Sequence, residues 1–219
     1  RHGSSDVLLM KYPLLRLAIF LVALAVPLYW FYLGWSLALG PEPGKWLLDH
    51  LGQGALILLL CTLSMTPLNR ASGWPGWIVI RRQLGLWTFA YASLHLTAFV
   101  LFILGGNVSQ FLKEVSERPY IVVGMLAFIG LLPLALTSNR WSMRSLGRHW
   151  KRLHRLIYPI LLLALLHLLW VVRSDVHQWV LYASIGLMLL FLRTSWAERK
   201  VLRPFRRRGD AEKKITDSP

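Results

Sequence analysis

His95 and His167 each stand inside an apolar run, Trp87–Leu96 and Leu161–Leu168. An ionisable side chain flanked by leucines is costly to place in hydrocarbon, and by default it marks a site. Counted from the starts of their runs at Leu84 and Leu156, both histidines lie about 11 residues in, a depth of about 16 Å at 1.5 Å per helical residue. Two imidazoles at one depth on helices that run the same way can meet a single haem iron from opposite faces. The blander alternative is an imidazole hydrogen-bonded to a neighbouring helix, and the matched depth counts against it.

His154 precedes His167 by 13 residues, about 20 Å along a helix axis, which would suit two haems stacked across a membrane. The angle fits less well, because 13 steps leave the two side chains about 140° apart on an ideal helix. Pro159 lies between them and could change that phase. The positions that would pair with His154, the same distance before His95, hold Arg82 and Arg81. Arginine stays protonated and does not normally ligate iron. It suits a haem propionate or a flavin phosphate. The pair His95–His167 is therefore the expected haem site, one haem, with a second at His154 left open. His50 stands where a loop enters a helix and could bind quinone, carry a proton, touch a partner or anchor the interface. His2, His149 and His177 fall in polar connections or the terminus and read as solvated. Trp87, Tyr91 and Trp170 are expected to pack around the macrocycle.

Elements of a particular kind must hold these side chains. The chain has 219 residues, 55% hydrophobic and 16% charged, with 11 Trp, too much apolar surface for a soluble interior of that size. Six apolar runs are long enough, or nearly so, to cross about 30 Å of hydrocarbon. They span 14–33, 51–68, 84–104, 120–136, 156–172 and 179–192, the last being the shortest. Gly40–Gly44, Gly73–Gly76, Gly105–Asn107 and Pro119 separate them. The expected fold is all-α, a polytopic membrane bundle of about six transmembrane helices. A single cysteine, Cys61, excludes an intrachain disulfide, a Cys-x-x-Cys metal site and covalent haem attachment. No internal repeat is strong enough to claim.

The net charge of +15 could suggest nucleic acid, but the basic residues sit between apolar runs and not along one helical face. Assigned to alternate sides, 21 Lys and Arg fall on one and 4 on the other. The rich side takes in the N-terminus, Arg70–Arg82, Arg140–Arg155 and everything from Arg193 onward, so both termini are expected in the cytoplasm. Residues 1–9 read as an extension before a natural start at Met10, 10–195 as the six-helix domain, and 196–219 as a basic cytoplasmic tail lying on anionic lipid. The first apolar run lacks a cleavage signal and reads as a retained helix. There is no dinucleotide fingerprint and no P-loop, so a separate electron donor is expected.

Arg81–Trp87 with Leu94-His95-Leu96, and Trp150–Tyr158 with His167–Trp170, resemble the MsrQ (YedZ) family, and the similarity extends from about Met10 over essentially the whole chain. That family belongs to the ferric reductase-like transmembrane superfamily. The resemblance implies a bacterial inner-membrane subunit with b-type haem, iron held by His95, His154 and His167, and associated FMN. It also implies electron delivery from the quinone pool or a cytosolic flavin reductase to a periplasmic molybdenum enzyme, MsrP, which repairs methionine sulfoxide in oxidised proteins. Arg82 departs from the four-histidine pattern of the superfamily, which leaves the ligation of an inner haem open. The chain shows no sulfoxide-reducing centre of its own. Rival readings are a haem-dependent ferric reductase, a quinol-oxidising cytochrome b with another acceptor, and a proton-coupled transporter; the scarcity of ionisable residues other than histidine in the helices argues against the last.

Overall fold

The computed structural model describes residues 12–172, 176–194 and 197. The extension at 1–9 lies outside these residues, as do Arg173 and the basic residues of the tail from Arg199 to Lys214. Among the described residues the chain is all helical, a polytopic bundle. Five helical segments are long and apolar enough to cross a membrane: Pro13–Trp35, Pro43–Ser72, Gly76–Ile103, Pro119–Leu136 and Arg148–Val171. The sixth run forms His177–Phe191, which has 15 residues and spans about 22 Å.

In chain order the helices are α1 (Pro13–Trp35), α2 (Pro43–Ser72), α3 (Gly76–Ala98), α4 (Val108–Glu117), α5 (Pro119–Leu136), α6 (Arg140–Leu146), α7 (Arg148–Leu153), α8 (Ile157–Val171) and α9 (His177–Phe191). A π-helical turn, Phe99–Ile103, continues α3, and a 3-10 turn, His154–Leu156, joins α7 to α8. Both α2 and α3 begin eight residues before their apolar runs, because amphipathic turns at their ends stay helical outside hydrocarbon. The segment at α4 is too short and polar to register as a span. Asn107 starts it, its side chain accepting from the backbone N–H of Ser109 and Gln110.

Two antiparallel hairpins make the bundle. α2 packs chiefly on α3, α5 chiefly on α8, and the two pairs lie side by side. The turn from α2 to α3 is closed by Gly73, whose φ of 72° is readily open only to glycine and whose N–H caps the carbonyl of Asn69 at 2.8 Å. Leu56, Leu59, Leu60 and Leu63 of α2 meet Leu131 and Leu134 of α5, Leu161 and Leu165 of α8, and Leu189 of α9 in one core. α1 lies against the α2–α3 hairpin and leaves Leu14, Leu21, Val22 and Leu28 on the outside. A helix apolar on every face belongs in lipid.

Two of the prolines inside these helices, Pro27 and Pro67, are compensated by side chains from elsewhere in the bundle. Pro27 of α1 has no N–H for the carbonyl of Ala23, one turn earlier. The buried Tyr91 hydroxyl of α3 donates to that carbonyl at 2.9 Å. Pro67 of α2 likewise leaves the carbonyl of Leu63 without its helical partner, and Arg193 beyond α9 donates to it at 2.7 Å. With no water in hydrocarbon, such borrowed donors are what make an internal proline tolerable.

Candidate cofactor site

The structure brings His95 and His167 together. Their ring centres are 6.3 Å apart and their planes stand at 86°. His95 Nδ1 donates to the backbone carbonyl of Leu48 in α2 at 2.9 Å, and His167 Nδ1 donates to that of Tyr120 in α5 at 2.7 Å. A carbonyl can only accept, so Nδ1 carries the proton in both rings and Nε2 keeps the lone pair that a metal needs.

Glycine makes this geometry possible. In a helix the side chain of residue i+4 leans over the carbonyl of residue i, and the residues four beyond Leu48 and Tyr120 are Gly52 and Gly124. A Cβ at Gly52 would lie 2.9 Å from His95 Cε1 and Nδ1, and one at Gly124 would lie 2.8 Å from His167 Nδ1. Each glycine thus bares a carbonyl to the imidazole of the opposing helix. The two hairpins repeat one device, with a separation of 47 residues between histidine and carbonyl in both. The sequence conceals this repeat, because the leucines around it are interchangeable and only histidine and glycine recur in register.

The arrangement fits a haem. A metal–imidazole bond is about 2 Å and the ring centre lies about 1 Å behind the nitrogen, so two imidazoles on one metal have centres about 6 Å apart. Among the described residues no three His, Cys, Asp or Glu side chains cluster to cage a bare ion. His95 and His167 would hold a haem through their two imidazole nitrogens, and the haem would supply the remaining ligands to its own iron. α3 and α8 each pack chiefly on their own hairpin partners, so the histidines face each other across the junction of the two hairpins.

His154 stands apart from this pair. It stacks on Trp150 at 3.8 Å, its Nδ1 lies 3.1 Å from the Trp150 carbonyl, and its Nε2 is buried, with the Leu134 backbone near the ring. The 3-10 turn at His154–Leu156 advances about 120° per residue, which narrows its angle to His167 from about 140° to about 80°. Pro159 falls in the first turn of α8, where its missing N–H costs nothing, so the 3-10 turn makes the phase change and not a proline kink. Arg81 is the guanidinium within electrostatic reach of His154, and it also faces Tyr158 and Arg193. Arg193 donates to the Tyr158 hydroxyl at 2.8 Å. Arg82 points elsewhere, toward Arg16 and Arg140. Adjacent helical residues diverge by about 100°, so the sequence could not say which arginine shares the inner cluster.

His50 lies within α2, stacked on Trp46 at 3.5 Å and edge-on to Trp30 at 5.7 Å. Trp87 and Tyr91 turn to α1, where Trp87 meets Phe20 and Tyr91 meets Trp30 and the Ala23 carbonyl, so both are committed to helix packing and not to the gap between the histidines. Trp170 joins Arg118, Tyr120 and Val171 around a pocket of about 280 Å³ beside His167. Gly52, Gly124 and Arg193 are the residues that sequence reasoning missed. A glycine within an apolar helix is the one signal that could have pointed to the first two.

The model of the ferric reductase like transmembrane component family matches residues 51–165, which include α3 with His95 and most of α8. The protein-methionine-sulfoxide reductase heme-binding subunit MsrQ of Xanthomonas campestris pv. campestris (strain B100) is 50% identical over 153 residues, 70% of each chain. The chain belongs to the ferric reductase-like transmembrane family and, within it, to the MsrQ family. No solved structure matches it.

Proposed function

We propose that this chain is the haem b subunit of a membrane electron-transfer system, with iron held by His95 and His167. The observation that carries the reading is the pair of rings 6.3 Å apart, each with its Nδ1 proton engaged by a helix carbonyl. Bound there, haem supplies a one-electron carrier whose potential follows from axial ligands, burial and hydrogen bonding. Leu48 and Tyr120 fix the ring orientation and raise the basicity of Nε2. The leucines around both hairpins exclude water. The charge asymmetry of the sequence supports an inner bacterial membrane with both termini cytoplasmic.

In this reading the basic end receives electrons and the opposite end delivers them. At the basic end, Arg81, His154, Tyr158 and Arg193 form a cationic cluster around a buried imidazole nitrogen. It suits a second haem or FMN, filled by the quinone pool or a cytosolic flavin reductase. The relative's name, the heme-binding subunit of a protein-methionine-sulfoxide reductase, supports a sulfoxide reductase as the partner. In this reading the acceptor is a periplasmic molybdenum reductase, MsrP, and the purpose is repair of oxidised periplasmic proteins. The test is reconstitution in sealed vesicles, with reductant at the basic end and MsrP plus a methionine sulfoxide peptide at the other. Wild type should reduce the peptide and His95→Ala should not. Equal rates for the two would sink the proposal.

A further inference from the structure

Three arginines from three helices surround one hollow at the basic end of the bundle. Arg16 of α1, Arg82 of α3 and Arg140, the first residue of α6, line a pocket of about 480 Å³ with Val79, Gln83 and Leu86. Gln83 fixes the hollow: its Nε2 donates to the Arg16 carbonyl at 2.7 Å, tying α1 to α3, while its Oε1 is buried with no partner. Arg16 and Arg140 both act on Arg82 as like charges. Guanidinium groups converging from separate elements match the tetrahedral oxygens of a phosphate, which one arginine alone cannot surround.

The walls beyond the arginines are apolar. Leu86, in the lining, is 39% exposed, and Leu17, next to Arg16 in the chain, is 53% exposed. A charged hollow bordered by exposed leucines fits a molecule with an anionic head and a hydrocarbon tail. We infer that Arg16, Arg82 and Arg140 form a specific binding site for a phosphate group, filled in the membrane by the headgroup of an anionic phospholipid. The same chemistry is available from a soluble phosphate monoester. The site needs nothing from the histidine pair, and its test does not depend on haem.

Native mass spectrometry of the full chain in detergent tests the inference, with phosphatidylglycerol and phosphatidylcholine as probes. Wild type should retain one phosphatidylglycerol per chain under conditions that strip phosphatidylcholine. Arg82→Gln and Arg140→Gln should each weaken that retention roughly ten- to a hundredfold, the range for a charge-assisted hydrogen bond in a dehydrated site. Arg82→Lys should fall between, because it keeps the charge and loses the fork. Insensitivity to millimolar inorganic phosphate and to FMN identifies the lipid as the source. Displacement by either, in wild type but not in Arg82→Gln, keeps the phosphate site and reassigns it to a soluble ligand. Equal retention of the two lipids by wild type overturns the inference, and so does retention unchanged in both glutamine variants. Should those variants fail to fold, the lipid preference of wild type and the Arg82→Lys comparison decide it.

Discussion

Adding one methyl group at Gly52 should loosen the grip on a cofactor that the glycine never touches. In Gly52→Ala the new Cβ would sit 2.9 Å from His95 Nδ1 and Cε1, against 3.4 Å for the nearest ordinary contact, so the ring must retreat by about 0.5 Å. The bond from Nδ1 to Leu48 is already 2.9 Å, and that retreat carries it past the range of a hydrogen bond. Losing the partner that orients a ligating imidazole typically costs ten- to a hundredfold in affinity, about 1.4–2.7 kcal/mol. Gly124→Ala should act comparably, since its Cβ would lie 2.8 Å from His167 Nδ1 and the bond to Tyr120 would stretch by a similar amount. Gly85→Ala is the control: its Cβ meets only Thr62 Cγ2 at 3.7 Å, and alanine favours the helix. The assay is haem titration of apo-protein in detergent, with a redox titration of the loaded form. The reasoning fails if Gly52→Ala and Gly124→Ala bind haem like Gly85→Ala with the same midpoint potential.

Tyr91→Phe leaves the Ala23 carbonyl, opposite Pro27, without a donor; a thermal melt should register a loss of about 1–3 kcal/mol while haem is retained. Arg193→Ala strands the carbonyl of Leu63 and the hydroxyl of Tyr158, and should lower the melting temperature more than Tyr91→Phe does, with no change in the spectrum of the His95–His167 site. His154→Ala should keep that spectrum too while slowing reduction from the basic end, and loss of all haem in this variant would show that the two ends are not independent.

The closeness of the two histidines was legible because equal depth follows from counting residues; the hydrogen bonds each makes to a carbonyl of a neighbouring helix were the alternative reading of the same rings, and the structure shows them alongside the pairing. The spans were legible from length and composition, and α9 is the short helix its run suggested. What stayed hidden depends on helix phase and on contacts between distant residues. Arg81 and Arg82 are neighbours in sequence yet face different partners. Pro27 with Tyr91, and Pro67 with Arg193, are pairs only in three dimensions. The amphipathic α4 is too polar for a search tuned to hydrocarbon. Gly52 and Gly124 matter because of what they lack, and nothing in a list of side chains announces a bared carbonyl.

The most direct test of the central claim is haem per chain, with dithionite-reduced-minus-oxidised spectra, on purified wild type, His95→Ala, His167→Ala and His154→Ala. The account predicts a b-type spectrum in wild type, its collapse in each of the first two variants, and its survival in the third. Full haem in both His95→Ala and His167→Ala would contradict it.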